Sequence, residues 1–112
     1  MIPPHVRIFV CTQPVDMRYG FDRLAQMVRE LLGHDPQSGS LYVFTNRRAT
    51  HLKVLWFDKN GYCMLYKRLH RALFKLPIGD GESIRLRIDA VALAQILAGV
   101  PKKRRQRRLK PI

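Results

Sequence analysis

The sequence predicts one small α+β domain, in which one long and one short helix cover a mainly antiparallel sheet with a central β-hairpin. The 112 residues are about one domain's worth. Apolar residues make up 46% of the chain, which is too many for a disordered protein. Short β-branched and aromatic segments alternate with two stretches that have helical spacing. Residues 1–100 therefore form the predicted domain, and residues 101–112 form a disordered basic tail.

The first third of the chain is predicted to form a strand followed by the longer helix. Residues 5–11 are β-branched and aromatic, which is typical of a strand. Apolar residues then recur at helical spacing from Met17 to Leu32, and Asp16 before them can cap the helix N-terminus. Gly33 is a candidate for the C-terminal cap.

The middle third is predicted to be β-structure. Residues 41–45, 52–57 and 62–69 have the composition of strands. Asn60-Gly61 lies between the last two segments and is a strong signal for a two-residue hairpin turn, because both positions of such a turn need positive φ.

This predicted turn fixes a register for the hairpin. It places Lys53 opposite Lys67, an arrangement that a bound anion would favour because opposed like charges are mildly destabilising. It also defines one face, expected to be the core side, that holds Leu52, Val54, Trp56, Met64 and Tyr66. Trp56 and Tyr66 are expected in the core because a small domain needs large apolar anchors.

The last third is predicted to add two short strands and the shorter helix. Residues 73–76 are a candidate strand, and residues 83–88 alternate apolar and polar side chains as in a half-buried strand. Asp89 can cap the final helix, which Gly99 and Pro101 end.

Charge is the strongest functional signal. Lys and Arg number 21 against 8 acids, which gives a net charge of +13. A nucleic acid is the usual partner of such a protein. Without the tail, 14 bases still outnumber the 8 acids. The tail is expected to bind phosphates without sequence preference through Lys102, Lys103, Arg104, Arg105, Arg107, Arg108 and Lys110.

The body of the chain also has the pattern of a nucleic-acid-binding surface. Between Arg47 and Arg87 there are ten bases and three acids, with aromatic residues interleaved. Bases can contact phosphates, and those aromatic residues that are exposed can stack on unpaired bases. The predicted phosphate contacts of the body are Arg47, Arg48, Lys53, Lys67, Arg68 and Arg71.

Catalytic and metal-binding patterns are not recognisable in the sequence. Metal-dependent strand transfer needs two or three converging carboxylates, and the eight acids have local structural roles or no recognised spacing. The four histidines and two cysteines do not form a zinc signature, and there is no Gly-rich phosphate loop. We therefore predict a protein that is not an enzyme, with no metal, no cofactor and no small-molecule substrate.

The cysteines and the hydropathy indicate a reducing, cytosolic location. Cys11 and Cys63 form no CxxC pair, and we expect both in strands as small hydrophobic residues. No apolar run approaches the ~20 residues of a membrane span, so no membrane partner is expected.

Several motifs in a fixed order resemble those of a known family. They are Val15-Asp16-Met17-Arg18, Gly20-Phe21-Asp22, Leu41-Tyr42-Val43-Phe44, Asn46-Arg47-Arg48, Lys53-Val54-Leu55-Trp56 and Tyr66-Lys67-Arg68-Leu69. Along residues 1–100 the chain is similar to the TnpB accessory proteins of bacterial insertion sequences of the IS66 group. It departs from the family pattern at Ala49-Thr50, where a Gly-Asp pair is frequent, and along residues 70–76.

The resemblance implies a small accessory protein that is encoded beside a larger transposase and is needed for efficient transposition. It implies no nuclease centre in this subunit. We expect a cytoplasmic, non-enzymatic protein that binds the DNA of element ends, and so lies at the nucleoid, and that assists the transposase. Two alternatives stay open. One is an adaptor that docks on the transposase and has only tail-mediated DNA affinity, and the other is an RNA-binding protein.

Overall fold

The computed structural model describes residues 3, 5–77 and 83–102. Its two helices and mainly antiparallel five-stranded sheet confirm the predicted α+β class. The predicted tail, from Lys103 onward, lies outside the described residues. The elements are β1 (Ile8–Cys11), α1 (Phe21–Glu30), β2 (Leu41–Thr45), β3 (His51–Asp58), β4 (Gly61–Arg68), β5 (Ala72–Leu73), β6 (Arg85–Ile88), α2 (Ala90–Ala98) and β7 (Val100–Pro101).

The five-stranded sheet has the order β4-β3-β2-β1-β6. β1 and β2 run parallel, with Ile8 opposite Leu41, because the connection that contains α1 returns the chain to the same end of the sheet. The other three pairings are antiparallel. β5 and β7 form a separate two-stranded sheet. Among the described strands, β4 and β6 are therefore the edges of the main sheet.

A hydrophobic core lies on each side of the main sheet, and successive residues of its strands contribute to opposite cores. On one side, Leu24, Ala25 and Val28 of α1 pack against Phe9, Cys11, Tyr42, Phe44 and Leu55. On the other side, Leu93 and Ile96 of α2 pack against Ile8, Val10, Val43, Leu52 and Val54. The expectation of a single core side is therefore wrong.

Helix α1 begins at Phe21, later than the spacing from Met17 predicts. A turn precedes it, in which the Asp16 carboxylate accepts the backbone N–H of Arg18 at 2.8 Å and the Asp16 carbonyl accepts that of Tyr19 at 3.1 Å. The Arg18 guanidinium also donates to this carboxylate at 2.7 Å and lowers the pKa of Asp16 to about 2. Asp16 thus caps the turn and not the helix. As a result, α1 and α2 have similar lengths of 10 and 9 residues.

Helix α2 has both of its predicted ends. The Asp89 carboxylate accepts the backbone N–H of Ala92 at 2.8 Å, which confirms it as the N-cap. Gly99 ends the helix with a φ of 73°, and a Cβ there would lie 2.7 Å from the Leu69 side chain and 3.2 Å from the Leu73 carbonyl oxygen. Neither of the two helices in the described part of the chain is long and apolar enough to cross a membrane.

The turn between β3 and β4 differs from the prediction by one residue. Asp58 pairs with Gly61, so the two connecting residues are Lys59 and Asn60. Lys59 has the positive φ, 53°, and the backbone N–H of Asn60 donates to the Asp58 carbonyl. The predicted Asn60-Gly61 loop is therefore wrong, because Gly61 already belongs to β4.

This one-residue difference changes which side chains share a face of the sheet. Lys53 lies opposite Tyr66 and not opposite Lys67, so the predicted Lys53–Lys67 pair is wrong. Met64 and Tyr66 lie on the α1 side of the sheet, whereas Trp56 lies on the α2 side. The proposed common face of these residues does not exist.

Candidate nucleic-acid interface

The turn between β2 and β3 presents two adjacent arginines, Arg47 and Arg48, and both are exposed. The side chain of Asn46 stabilises this turn by hydrogen bonds within it. Its side-chain oxygen accepts the backbone N–H groups of Thr50 at 2.9 Å and His51 at 3.0 Å, and its Nδ2 donates to Thr50 Oγ1 at 2.9 Å. The two arginines are therefore carried on a fixed backbone, which reduces the entropy that binding would cost.

Arg68 lies at the same end of the main sheet. It is exposed and pairs with His51, the first residue after the turn. The next residue, Leu69, donates its backbone N–H to the Thr50 carbonyl at 2.9 Å. The chain that leaves β4 therefore passes directly beside the turn that carries the two arginines.

Arg71 and Lys102 complete this end of the protein. The Phe74 N–H donates to the Ala49 carbonyl at 2.7 Å, which attaches the β5 segment to the turn. Arg71 is exposed, and its carbonyl accepts the backbone N–H of Lys102 at 3.4 Å. The described chain thus ends beside Arg71. We use the name "basic end" for the five exposed residues Arg47, Arg48, Arg68, Arg71 and Lys102.

Two of the predicted phosphate contacts of the body have other partners. Lys67 is exposed on the α2 side, and its Nζ donates to the Leu97 carbonyl at 2.7 Å. An ammonium at this position offsets the negative end of the α2 dipole.

The six tail cations from Lys103 to Lys110 lie outside the described residues.

Lys53 is buried, with 6% of its surface exposed. Its Nζ donates to the carbonyls of Met17 at 2.6 Å and Tyr19 at 2.7 Å, and lies 4.8 Å from the centre of the Tyr66 ring. Burial lowers the pKa of the Lys53 ammonium, and the Asp16 carboxylate partly offsets this shift. Lys53 therefore links β3 to the segment before α1 and is not part of the basic end.

Replacing Lys53 by methionine is expected to lower the free energy of unfolding by about 1–3 kcal/mol, because two carbonyls lose a charged donor. Chemical denaturation of Lys53→Met measures the change. Lys75→Met, at an exposed lysine, is the matched control and should change stability little. Equal stability of the two variants would contradict the linking role of Lys53.

The two cysteines, which could in principle act as nucleophiles or metal ligands, do not belong to the basic end. Cys11 is buried in β1 and Cys63 is half-buried in β4, both with free thiols, as the sequence predicts for small hydrophobic residues in strands. Burial raises the pKa of the Cys11 thiol. Within residues 3, 5–77 and 83–102, no group of three or more His, Cys, Asp or Glu side chains could hold a metal ion.

Sequence reasoning missed the roles of two residues. Asn46 fixes the turn, and its position just after a strand and before two arginines is the signal that could have indicated an Asx-type turn. Tyr66 is 54% exposed although it was expected in the core. No local pattern could have shown this, since its exposure depends on the register and on β4 being an edge strand.

The fold and the basic end define a small, strongly basic α+β domain in which five exposed cations lie together at one end of a mixed sheet. A family model described as "IS66 Orf2 like protein" matches residues 6–107. The chain belongs to this family, which supports the expected accessory protein of an insertion sequence.

Relatives of similar length occur in Sinorhizobium fredii (strain NBRC 101917 / NGR234). The chain is 37% identical to uncharacterized protein y4hO over 107 residues, which are 96% of this chain and 91% of that protein. It is 36% identical to uncharacterized protein y4jC over 77 residues, which are 68% of this chain and 66% of that protein. No solved structure matches the chain.

Proposed function

We propose that this protein is a non-enzymatic accessory factor that binds the DNA of insertion-sequence ends through the basic end and assists the transposase there. One observation carries the proposal: five exposed cations meet around a turn whose backbone is fixed by hydrogen bonds. Six further cations follow Lys102 in the sequence. Exposed guanidinium groups are well suited to phosphate, which they can bind through two parallel hydrogen bonds.

The basic end would set affinity and orientation rather than sequence preference, because phosphate contacts carry no sequence information. Its charge is not neutralised locally: the one salt bridge among the described residues joins Asp16 to Arg18, outside the basic end. The insertion-sequence family supplies the reason to expect DNA of the element as the polyanion.

The proposal is tested by measuring the affinity of the full chain for an element-end duplex across a salt series. Affinity should fall steeply with salt, by about 0.9 in log K per unit of log salt for each phosphate contact. Duplexes of scrambled sequence and RNA duplexes serve as comparisons. Absence of binding to the element-end duplex at low salt, or tighter binding to RNA than to DNA, would contradict the proposal.

Replacing Asn46 by alanine is expected to weaken binding to this duplex about two- to tenfold, because Arg47 and Arg48 would have to be ordered on binding. Fluorescence anisotropy with the labelled duplex measures the change. The control is Asn60→Ala, in the turn at the other end of β3, which should leave affinity unchanged. Equal effects of the two substitutions would contradict the importance of the fixed turn.

A second candidate function is docking on the transposase, and one observation favours it. A cavity of about 500 Å³ on the α2 side has a largely apolar lining that includes Val54, Trp56, Leu65, Leu93 and Leu97. An apolar segment of the transposase would fit such a lining, and its binding would survive high salt.

This second candidate is tested by capture of the transposase at high salt. Leu65→Asp places a charge in the cavity and should abolish capture, whereas Val91→Asp, on the exposed surface of α2 outside the cavity, should not. Capture that fails at high salt with the unmodified chain would exclude an apolar interface.

A further inference from the structure

We propose that Tyr66 is a stacking platform for an unpaired DNA base beside the basic end, so that the preferred substrate is a duplex with a single-stranded segment. This inference rests on the function proposed above and specifies its substrate. Tyr66 is 54% exposed and belongs to β4, an edge strand among the described strands of the main sheet.

Tyr66 lies beyond the part of the sheet that α1 covers. On the same face of β4, Tyr62 and Met64 pack against the α1 core. Exposure increases along the strand: residues 61–64 are half-buried, and residues 65–68 are exposed. Tyr66 is therefore not needed to fill the core, and its ring is accessible to a ligand.

The Tyr66 ring is nevertheless held in a defined position. The Lys53 ammonium, itself fixed by two backbone carbonyls, lies 4.8 Å from the ring centre. The His51 ring lies 6.0 Å away at an angle of 51°. A ring that is already oriented loses little conformational entropy when a base stacks on it. Since the ammonium covers one side of the ring, the base would stack on the opposite side.

The residues beside Tyr66 provide positive charge for the phosphates that flank such a base. Arg68 lies on the same face of β4, two residues along the strand, which is roughly 7 Å away. A single nucleotide could therefore contact both side chains. The Asp16 carboxylate, which interacts electrostatically with Lys53, is paired with Arg18 at 2.7 Å and adds little free negative charge.

A stacked aromatic ring recognises any unpaired base, because every base has a π-face. It cannot reach a base that is paired and stacked within a blunt duplex. The combination of an accessible tyrosine with a neighbouring arginine, Arg68, thus favours DNA in which part of one strand is free over fully paired DNA. The basic end would bind the paired portion in either case.

The test compares two labelled probes with the full chain: a blunt element-end duplex, and the same duplex with a short 3′ extension of thymidines. Fluorescence anisotropy gives the affinity for each probe with the unmodified chain, Tyr66→Ala and Tyr66→Phe. Phe21→Ala is the matched control, since Phe21 is an aromatic residue that is 46% exposed and belongs neither to the basic end nor to the apolar cavity. Thermal unfolding of every variant verifies that it remains folded.

We expect the unmodified chain to bind the extended probe more tightly than the blunt one. Tyr66→Ala should lose about five- to a hundredfold on the extended probe and little on the blunt one, whereas Tyr66→Phe and Phe21→Ala should behave like the unmodified chain. Equal affinity of the unmodified chain for both probes would overturn the stacking role and leave the proposed function intact. Failure to bind either probe would overturn both.

Discussion

Replacing Arg47, Arg48, Arg68 and Arg71 together by alanine will make DNA binding much less sensitive to salt. Each lost phosphate contact removes about 0.9 from the slope of log K against log salt, so the slope should fall by about 3.6. Between 50 and 200 mM salt, the variant should therefore lose roughly a hundredfold less affinity than the unmodified chain. Binding isotherms with the element-end duplex over this range measure the effect.

The control is a variant with the same change in net charge, in which the four substituted arginines lie outside the basic end. Arg7, Arg23, Arg29 and Arg87 are exposed residues outside the basic end. Arg87 pairs with Phe9 of β1, and its strand β6 is the edge of the main sheet opposite to β4. Replacement of these four by alanine should change the slope much less. If both quadruple variants change it equally, affinity depends on net charge alone and the basic end has no special role.

Replacing the six tail cations by glutamine will have the largest effect on affinity. The changes are made in the full chain at Lys103, Arg104, Arg105, Arg107, Arg108 and Lys110. Six phosphate contacts account for a slope of about 5.4, which is slightly more than half of the salt dependence expected from the tail and the basic end together, so the slope should fall by about half. Any preference of the protein for the element-end duplex over a scrambled duplex should remain, because tail contacts with phosphates do not distinguish sequences.

Two outcomes would contradict this division of roles between the tail and the body. An unchanged salt slope would show that the tail does not contact DNA. A complete loss of binding, with no residual affinity even at low salt, would show that the basic end does not bind DNA by itself. In the second case, the apolar cavity on the α2 side becomes the main candidate for a functional surface.

Much of the fold could be predicted from local sequence, because single capping residues and short apolar patterns specify where several helices and strands lie. Asp89 and Gly99 set the ends of α2 through a side-chain cap and a positive φ, which are properties of single residues. The strands that the pattern predicts at residues 41–45 and 83–88 are present as β2 and β6. The connection through α1 also makes β1 and β2 parallel, but nothing local to either strand indicates which strands become neighbours.

The register of β3 and β4 could not be derived in the same way. Asn60-Gly61 is a better turn sequence than Lys59-Asn60, yet the chain turns one residue earlier. Packing favours this choice, because it places Tyr62 and Met64 of β4 on the α1 side, where both pack against the core. The packing of β4 side chains thus overrides the preference of two residues for positive φ.

The sequence predicts most of the charged residues of the candidate site, but it predicts less well where each of them lies in the structure. The exposed arginines of the basic end follow from the sequence, because charged residues in a turn or at the end of an edge strand remain in solvent. Lys53 has the same charge but lies in the middle of β3, where two backbone carbonyls and the Tyr66 ring surround its ammonium. The burial of Lys53 depends on the position of the segment before α1 relative to β3, and no local sequence pattern predicts that position.

The most direct test of the central claim is to map DNA contacts by NMR on the full chain with its six tail cations replaced by glutamine. Backbone amide shifts are recorded as the element-end duplex is added at low salt. The largest changes should fall in residues 46–51 and 68–72 and at Lys102, which together form the basic end and the segments that support it. Changes confined to the residues around the α2-side cavity, or an absence of changes, would contradict the assignment of the basic end as the DNA-binding surface.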